Sequence, residues 1–354
     1  MITSFLSSIP SIIASLLGIT AIIIFHEFGH FIFCKLFNVY TPTFSIGMGN
    51  ILYSKQIGQT KFCLSAAPIG GYVEIATDKG IKGTLGFDEI PYYQKVLIML
   101  GGILCNFLLT YLIFFGLFFT GMPESGMPYE TNTTNIQQVK PSSINAIHLQ
   151  SSDQILAINN IDTNQDASVI KKQLVHAIKS GEKQVLASIQ RNGQHISTQL
   201  NISTNQPHTL SNMLDVNFEK KPTLGLTASL QEAYKTTTYC LSAIIQGLKG
   251  LMSSQPTKGF VGPIMAVAIS SKSAQKGFSH LLLLLAIISI NLGFMNLLPL
   301  PIFDGGQFVM FTIESITRKK LSEKVRNIIG ISSWVFALSL MIIFSLKDIY
   351  ALVF

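Results

Sequence analysis

The stretch AIIIFHEFGHFIFCKLF, Ala21 to Phe37, is apolar almost throughout, yet it holds His26, Glu27 and His30 in its middle. Its length and composition predict a membrane-spanning helix, which needs about 20 apolar residues. Ionisable side chains at that depth cost several kcal/mol, on the order of 3 or more each, unless something compensates. His26 and His30 are four residues apart, so on a helix they share one face, one turn apart, and can bind one metal ion. Glu27, next to the first histidine, is placed to take a proton from a water that the metal activates. A bound metal offsets the burial of all three groups, and a purely structural polar cluster explains them less well.

Working outward, the rest of the chain fits a membrane setting. Of its 354 residues 48% are hydrophobic and 12% charged. An average domain carries about twice that share of charge. Four apolar spans are predicted: Ile9–Phe37, Val96–Gly121, His280–Phe303 and Ile328–Leu346. The opening residues lack the basic region of a signal peptide, so the first span is expected to be retained. The net charge of +7 comes from scattered residues and does not indicate a nucleic-acid partner. Cys34, Cys63, Cys105 and Cys240 form no CxxC pair, which argues against a disulfide framework or a cysteine zinc site.

Basic residues orient the spans. Lys55, Lys61, Lys79 and Lys82 lie between spans one and two; Arg318, Lys319, Lys320, Lys324 and Arg326 lie between spans three and four. Both connections are therefore expected in the cytoplasm, with both termini and the long middle region outside. The first connection contains MGN and IGQ turns and the apolar run KFCLSAAPIGGYVEI. It predicts a β-ribbon dipping into the membrane. GFDEIPYYQKVL then leads into the second span, with Tyr92 and Tyr93 at headgroup level.

The middle region differs in kind. SDQILAINN predicts a strand, DASVIKKQLVHAIKSG a helix stopped by Gly181, and KQVLASIQRNGQHISTQLN a hairpin turning at Asn192-Gly193. This is a small α+β domain. Ser229–Met252 is amphipathic and is placed at the outer membrane surface, with a fifth span as the alternative. His148, His176, His195 and His208 read as solvated residues of the outer domain.

A catalytic zinc needs a third protein ligand and an open position. The best candidate is Asp304 in NLLPLPIFDGG; its plainer reading is a carboxylate capping a helix that resumes at Gly305. Topology favours the ligand, because spans one and three run in the same direction and place His26, His30 and Asp304 at similar depth. Pro299 and Pro301 break the third span and free backbone groups that only a sheltered or wet site can satisfy. Asn296, just before the break, reads equally as an interhelical hydrogen bond or a substrate contact.

With these motifs in view, the chain resembles the site-2 protease family of intramembrane zinc metalloproteases, in particular the bacterial regulator of sigma-E protease type. HEFGH looks like that family's HExxH, NLLPLPIFDGG like its NxxPxPxxDG, FSIGMGN and PIGGYVEI like its membrane-associated β-region, and GGILCNFLL like its second-span motif. The resemblance implies that His26, His30 and Asp304 bind Zn2+ and that Glu27 is the acid–base. Asn296, Pro299, Pro301 and the ribbon residues Gly70, Gly71 and Tyr72 would meet the substrate. It also implies that the outer module is a PDZ domain, although SSD stands where PGD is usual.

The expected fold class is a multi-pass α-helical membrane protein with four transmembrane helices, a membrane-associated β-ribbon and a small α+β PDZ-like extracytoplasmic domain. The expected divisions are 1–121, 131–205 (PDZ-like), 206–279 (amphipathic) and 280–354. The implied activity is hydrolysis of peptide bonds within single-span membrane proteins, such as anti-sigma factors or signal-peptide remnants. The implied location is the bacterial cytoplasmic (inner) membrane, with the lipid bilayer as solvent and the active site towards the cytoplasm. The alternative is a catalytically inactive scaffold or a zinc-binding membrane protein. A zinc carrier would need polar groups along several spans, and spans two and four contain no carboxylate or histidine.

Overall fold

Residues 2–77, 83–125, 127, 129–203, 209–251, 263–319 and 321–353 are described by a computed structural model. Lys79, Lys82, His208, Met252 and Lys320 lie outside them. The chain forms two compact units, Met1–Leu117 with Leu230–Phe354, and Phe118–Ser229.

The first helix, α1 (Ile2–Leu36), carries the HEFGH segment on its second half. Two strands follow, β1 (Thr43–Ile57) and β2 (Thr60–Val73). Their register shows how the ribbon is folded. Ile51–Ile57 pairs with Thr60–Ser65 in descending order, while Thr43–Ile46 ascends beside Lys61–Leu64 and also pairs with Gly71–Val73. The chain therefore doubles back between Ile46 and Ile51. Gly47 (φ 83°) and Gly49 (φ 88°) permit the reversal, since their backbone conformation strains any other residue. Phe31 of α1 meets Phe44 and Phe62 with ring centroids 5.3 and 5.7 Å away, and Thr20 Oγ1 donates to the Pro68 carbonyl at 2.7 Å. These contacts fix the ribbon along α1.

The second long helix, α2 (Tyr92–Thr120), starts just after Pro91. It crosses α1 at backbone distance. A methyl group on Gly29 would lie 2.2 Å from the Gly101 carbonyl oxygen, so no side chain fits between the two helices there.

The second unit is built on a sheet of β3 (Asn132–Gln138), β4 (Gln154–Ile158), β5 (Ile161–Asp162), β6 (Gln184–Arg191), β7 (Gln194–Asn201) and β8 (Asn217–Lys220). The order is β7-β6-β4-β3-β8, with β5 on β4. Between β5 and β6 lies α3 (Ala167–Lys179), capped by Asp166, which accepts from the Ser168 N–H; before β8 lies the short α4 (Leu210–Leu214). The β6–β7 hairpin turns through Asn192 (φ 51°) and Gly193 (φ 82°), the pair of left-handed residues a two-residue turn requires. Ile155, Ile158, Ile170, Leu174, Ile189 and Leu200 are fully buried at its centre. Buried Asn145 donates to the carbonyls of Asn201 and Leu214 and accepts from the Asn201 N–H. Arg191 donates two hydrogen bonds to buried Asp153, at 2.8 and 2.7 Å. Because β8 pairs with β3, this unit reaches further along the chain than residues 131–205.

The chain returns to the first unit with α5 (Leu226–Leu251), α6 (Pro263–Lys276), α7 (Phe278–Asn296), α8 (Asp304–Thr317) and α9 (Glu323–Val353). Among the described residues four helices are long and apolar enough to cross a membrane, at Ile9–Leu36, Tyr92–Thr120, Phe278–Asn296 and Lys324–Tyr350. The third span stops at Asn296, short of the predicted Phe303. Pro299 and Pro301 cannot donate to a helix and push the residues before them out of helical backbone angles. Helix α6 has no counterpart in the sequence reading, yet it packs on α1, α7 and α9. Its serines hide it: Ser270 returns its hydroxyl to the Ala266 carbonyl at 2.7 Å and is fully buried, so a polar residue occupies an apolar position.

Candidate metal centre

Two facing backbones shape the site. On α1, His26 and His30 are 6% and 5% exposed and point at α2. On α2, Gly102 leaves room for them, because a methyl group there would lie 2.5 Å from His30 Nε2 and 2.6 Å from His26 Cε1. Beyond α7, residues 297–303 turn back on themselves, and α8 begins with Asp304. The two glycines after it fit tightly beneath that turn. Methyl groups on Gly305 and Gly306 would lie 2.3 Å from the Leu297 oxygen and 2.2 Å from the Leu300 oxygen. The DGG sequence thus tucks the start of α8 under the proline turn and brings the carboxylate to the histidines.

The three side chains converge. His26 Nε2 is 3.2 Å from His30 Nε2; Asp304 Oδ2 is 3.1 Å from the first and 3.4 Å from the second. Asp304 Oδ2 is buried and accepts no hydrogen bond. The helix-capping alternative finds no support, because Phe303 is the N-cap and no side-chain cap bond forms there. Among the described residues these are the only three His, Cys, Asp or Glu side chains grouped to hold a metal ion. Zinc bonds to nitrogen and oxygen are about 2.0–2.2 Å long, so the donor atoms of a tetrahedral site lie about 3.3 Å apart. The spacings seen here match that figure, and the unpartnered carboxylate oxygen is the atom a cation would satisfy. The residues fit zinc.

Surrounding groups fix the donors. His30 Nδ1 lies 2.7 Å from the Ile98 carbonyl oxygen, which can only accept, so the ring keeps its proton there and turns a lone pair inward at Nε2. Asn106 Nδ2 lies 3.2 Å from His26 Nδ1, and Asn296 Nδ2 lies 3.3 Å from His26 Nε2. Glu27 is half-buried, and its Oε2 accepts from the Val73 N–H at 3.1 Å, at the end of β2. Of the residues singled out for substrate, Asn296 is at the donor cluster and Pro299 and Pro301 form the adjoining turn. Gly71 is packed against α1, where a methyl group would lie 2.7 Å from the Ser45 oxygen and 3.5 Å from Ile24. Gly70 and partly exposed Tyr72 flank it, one strand residue from the Glu27 contact.

The sequence reading gave no role to Ile98, nor to Gly102 and Asn106, although it likened the GGILCNFLL segment that holds the last two to the family's second-span motif. A carbonyl leaves no trace in sequence. The other two carried a signal, since GGILCN spaces Gly102 and Asn106 four apart on one helix face.

Two histidines and a carboxylate set among apolar helices, with a glutamate beside the first histidine, define a membrane metalloprotease type of site. The profile of Peptidase family M50 matches residues 14–340, so the chain belongs to that family, the site-2 proteases. It is 28% identical over 335 residues to "Putative zinc metalloprotease FN1322" of Fusobacterium nucleatum, covering 94% of this chain and 96% of that one. It is 28% identical over 361 residues to "Putative zinc metalloprotease Cj1068" of Campylobacter jejuni, covering 95% and 92%. "Membrane metalloprotease ARASP, chloroplastic" of Arabidopsis thaliana is 25% identical over 366 residues, covering 99% of this chain and 81% of that one.

Proposed function

We propose that the protein is an intramembrane zinc endopeptidase that cuts single-span membrane proteins within or near their spans, anti-sigma factors or signal-peptide remnants being the fitting classes. The observation that carries the reading is the convergence of His26, His30 and Asp304 on one small volume, with a buried carboxylate oxygen that has no hydrogen bond. In this reading His26, His30 and Asp304 hold the ion and Glu27 handles the proton. When bound, zinc supplies a Lewis acid for the scissile carbonyl and lowers the pKa of water. Glu27 takes a proton from the attacking water and returns it to the leaving amine. The Val73 N–H holds its carboxylate in place for that transfer.

A helical substrate hides its peptide bonds in its own hydrogen bonds and must unwind to be cut. Gly71–Val73 pairs on one side with Phe44–Ile46, and among the described residues no strand pairs on its other side. An unwound segment added there would replace its lost bonds with ribbon bonds, and in this reading Asn296, which lies 3.3 Å from His26 Nε2, and the Pro299–Pro301 turn also hold it. Basic connections facing the cytoplasm would put the site near that side of the bacterial inner membrane. The Phe118–Ser229 unit would act outside as a PDZ-like filter on substrate size.

The test is zinc content and cleavage of a single-span substrate by wild type and Glu27→Gln. Expected are about one zinc per chain in both proteins and cleavage in wild type alone. Cleavage by the variant at the wild-type rate removes Glu27 from the reaction; zinc without cleavage in either protein favours an inactive scaffold.

A further inference from the structure

We infer that Asn106 is a positioning residue that makes His26 present Nε2 to the ion, by accepting the ring's Nδ1–H on its side-chain oxygen. The inference rests on the zinc reading above.

A neutral imidazole carries a single ring proton. With the Asn106 nitrogen facing His26 Nδ1 at 3.2 Å, Nδ1 must accept. The ring proton then sits on Nε2, which lies 3.1 Å from Asp304 Oδ2, 3.2 Å from His30 Nε2 and 3.3 Å from the Asn296 amide nitrogen, itself a donor that calls for a lone pair there. A protonated nitrogen cannot ligate. The same orientation leaves Asn106 Oδ1 fully buried with no donor. Such an atom costs about 1–3 kcal/mol. A half-turn about the Cβ–Cγ bond exchanges the two ends of the amide with almost no change of shape. Oδ1 then accepts from Nδ1–H, and the lone pair of Nε2 faces Asp304 and His30. One rotation gives the buried oxygen a partner and makes His26 a ligand.

The arrangement at His30 is the same in kind. There the acceptor is the Ile98 carbonyl, also from α2. Each histidine of α1 would thus be set by an oxygen of α2, one from backbone and one from side chain. Asn106 is itself held firmly. Thr110 and Ser289 both donate to its backbone carbonyl, at 2.9 and 3.0 Å, and a methyl group on Gly293 would lie 3.2 Å from its Cβ. Such outer hydrogen bonds are worth 10–100-fold in metal affinity.

The experiment measures zinc affinity by chelator competition on the full-length, detergent-purified protein: wild type, His26→Ala, Asn106→Leu and Asn106→Asp. Leu keeps the volume and removes the acceptor. Asp offers acceptor oxygens in either orientation. The expected result is affinity at least about tenfold weaker for Leu and wild-type or tighter for Asp. A packing role predicts the opposite order, because Asp adds a buried charge. Leu at wild-type affinity, or Asp as weak as Leu, overturns the inference. If the Leu variant does not fold, Asp decides alone: retained affinity supports the inference and lost affinity refutes it. Wild type and His26→Ala separate the two levels. No zinc in wild type defeats the zinc reading itself, whereas tight wild-type binding lost in His26→Ala, with Leu unchanged, defeats only the role of Asn106.

Discussion

Replacing Gly102 by Ala adds one methyl group at the crossing of α1 and α2. It would lie 2.5 Å from His30 Nε2, 2.6 Å from His26 Cε1 and 2.8 Å from His26 Nδ1, where ordinary contact begins at 3.4 Å. Relief requires a movement of roughly 0.9 Å, by rings or helices, and overpacking of this sort costs about 1–3 kcal/mol. The rings cannot yield freely, because His30 is tied to the Ile98 carbonyl and His26 to Asn106. A misplacement of about 1 Å costs about 10²-fold in rate. We expect Gly102→Ala to lose most of its zinc and at least about 10²-fold of its cleavage rate, measured by elemental analysis and gel assay of a single-span substrate. Helix propensity works the other way, since Ala favours a helix by about 1 kcal/mol over Gly. Gly116→Ala on the same helix is the control, as its methyl group meets nothing within 4 Å, and it should keep zinc and activity. A Gly102→Ala protein with a full zinc equivalent and wild-type cleavage would refute the packing argument.

Asp304→Ala should release zinc into a weak chelator while leaving the helices folded, as followed by circular dichroism; zinc retained at wild-type affinity would remove Asp304 from the ligand set. Asp166→Ala, which removes the cap of α3, should lower stability by about 1 kcal/mol, read as a reduced melting temperature. Burial opposes ionisation of Asp166, but the Ser168 hydrogen bonds and then the Lys221 charge outweigh it and hold its pKa below the ordinary 3.8. A depressed carboxylate stabilises the fold above that value, so the gap between wild type and Asp166→Ala should persist at neutral pH and close only as the pH falls below about 3.8. A constant gap down to pH 2 would assign the loss to something other than the charge.

Much of the layout was legible in the sequence because it follows from periodicity and from groups that are costly in lipid. HEFGH announced its own face, and the proline pair announced a break that α7 and α8 make at Asn296 and Asp304. The hairpin at Asn192-Gly193 and the turns at MGN and IGQ were set by backbone angles that few residues tolerate. The rest was hidden for physical reasons. Buried Ser270 and Ser271 disguise α6 as polar. That Thr43–Ile46 lies between two stretches of β2 depends on contacts between residues distant in sequence. The close fit of Gly29 to Gly101, and of Gly102 to the histidines, is a matter of backbone approach, which a glycine permits but does not announce.

The bond between the Val73 amide and the Glu27 carboxylate joins the last residue of the ribbon to the middle of the first helix. Sliding the ribbon along its own axis would therefore pull on that carboxylate directly. A guest segment laid against Gly71–Val73 would touch a strand already tethered to Glu27; if the proposed reaction holds, seating the guest and aiming the carboxylate become mechanically one act.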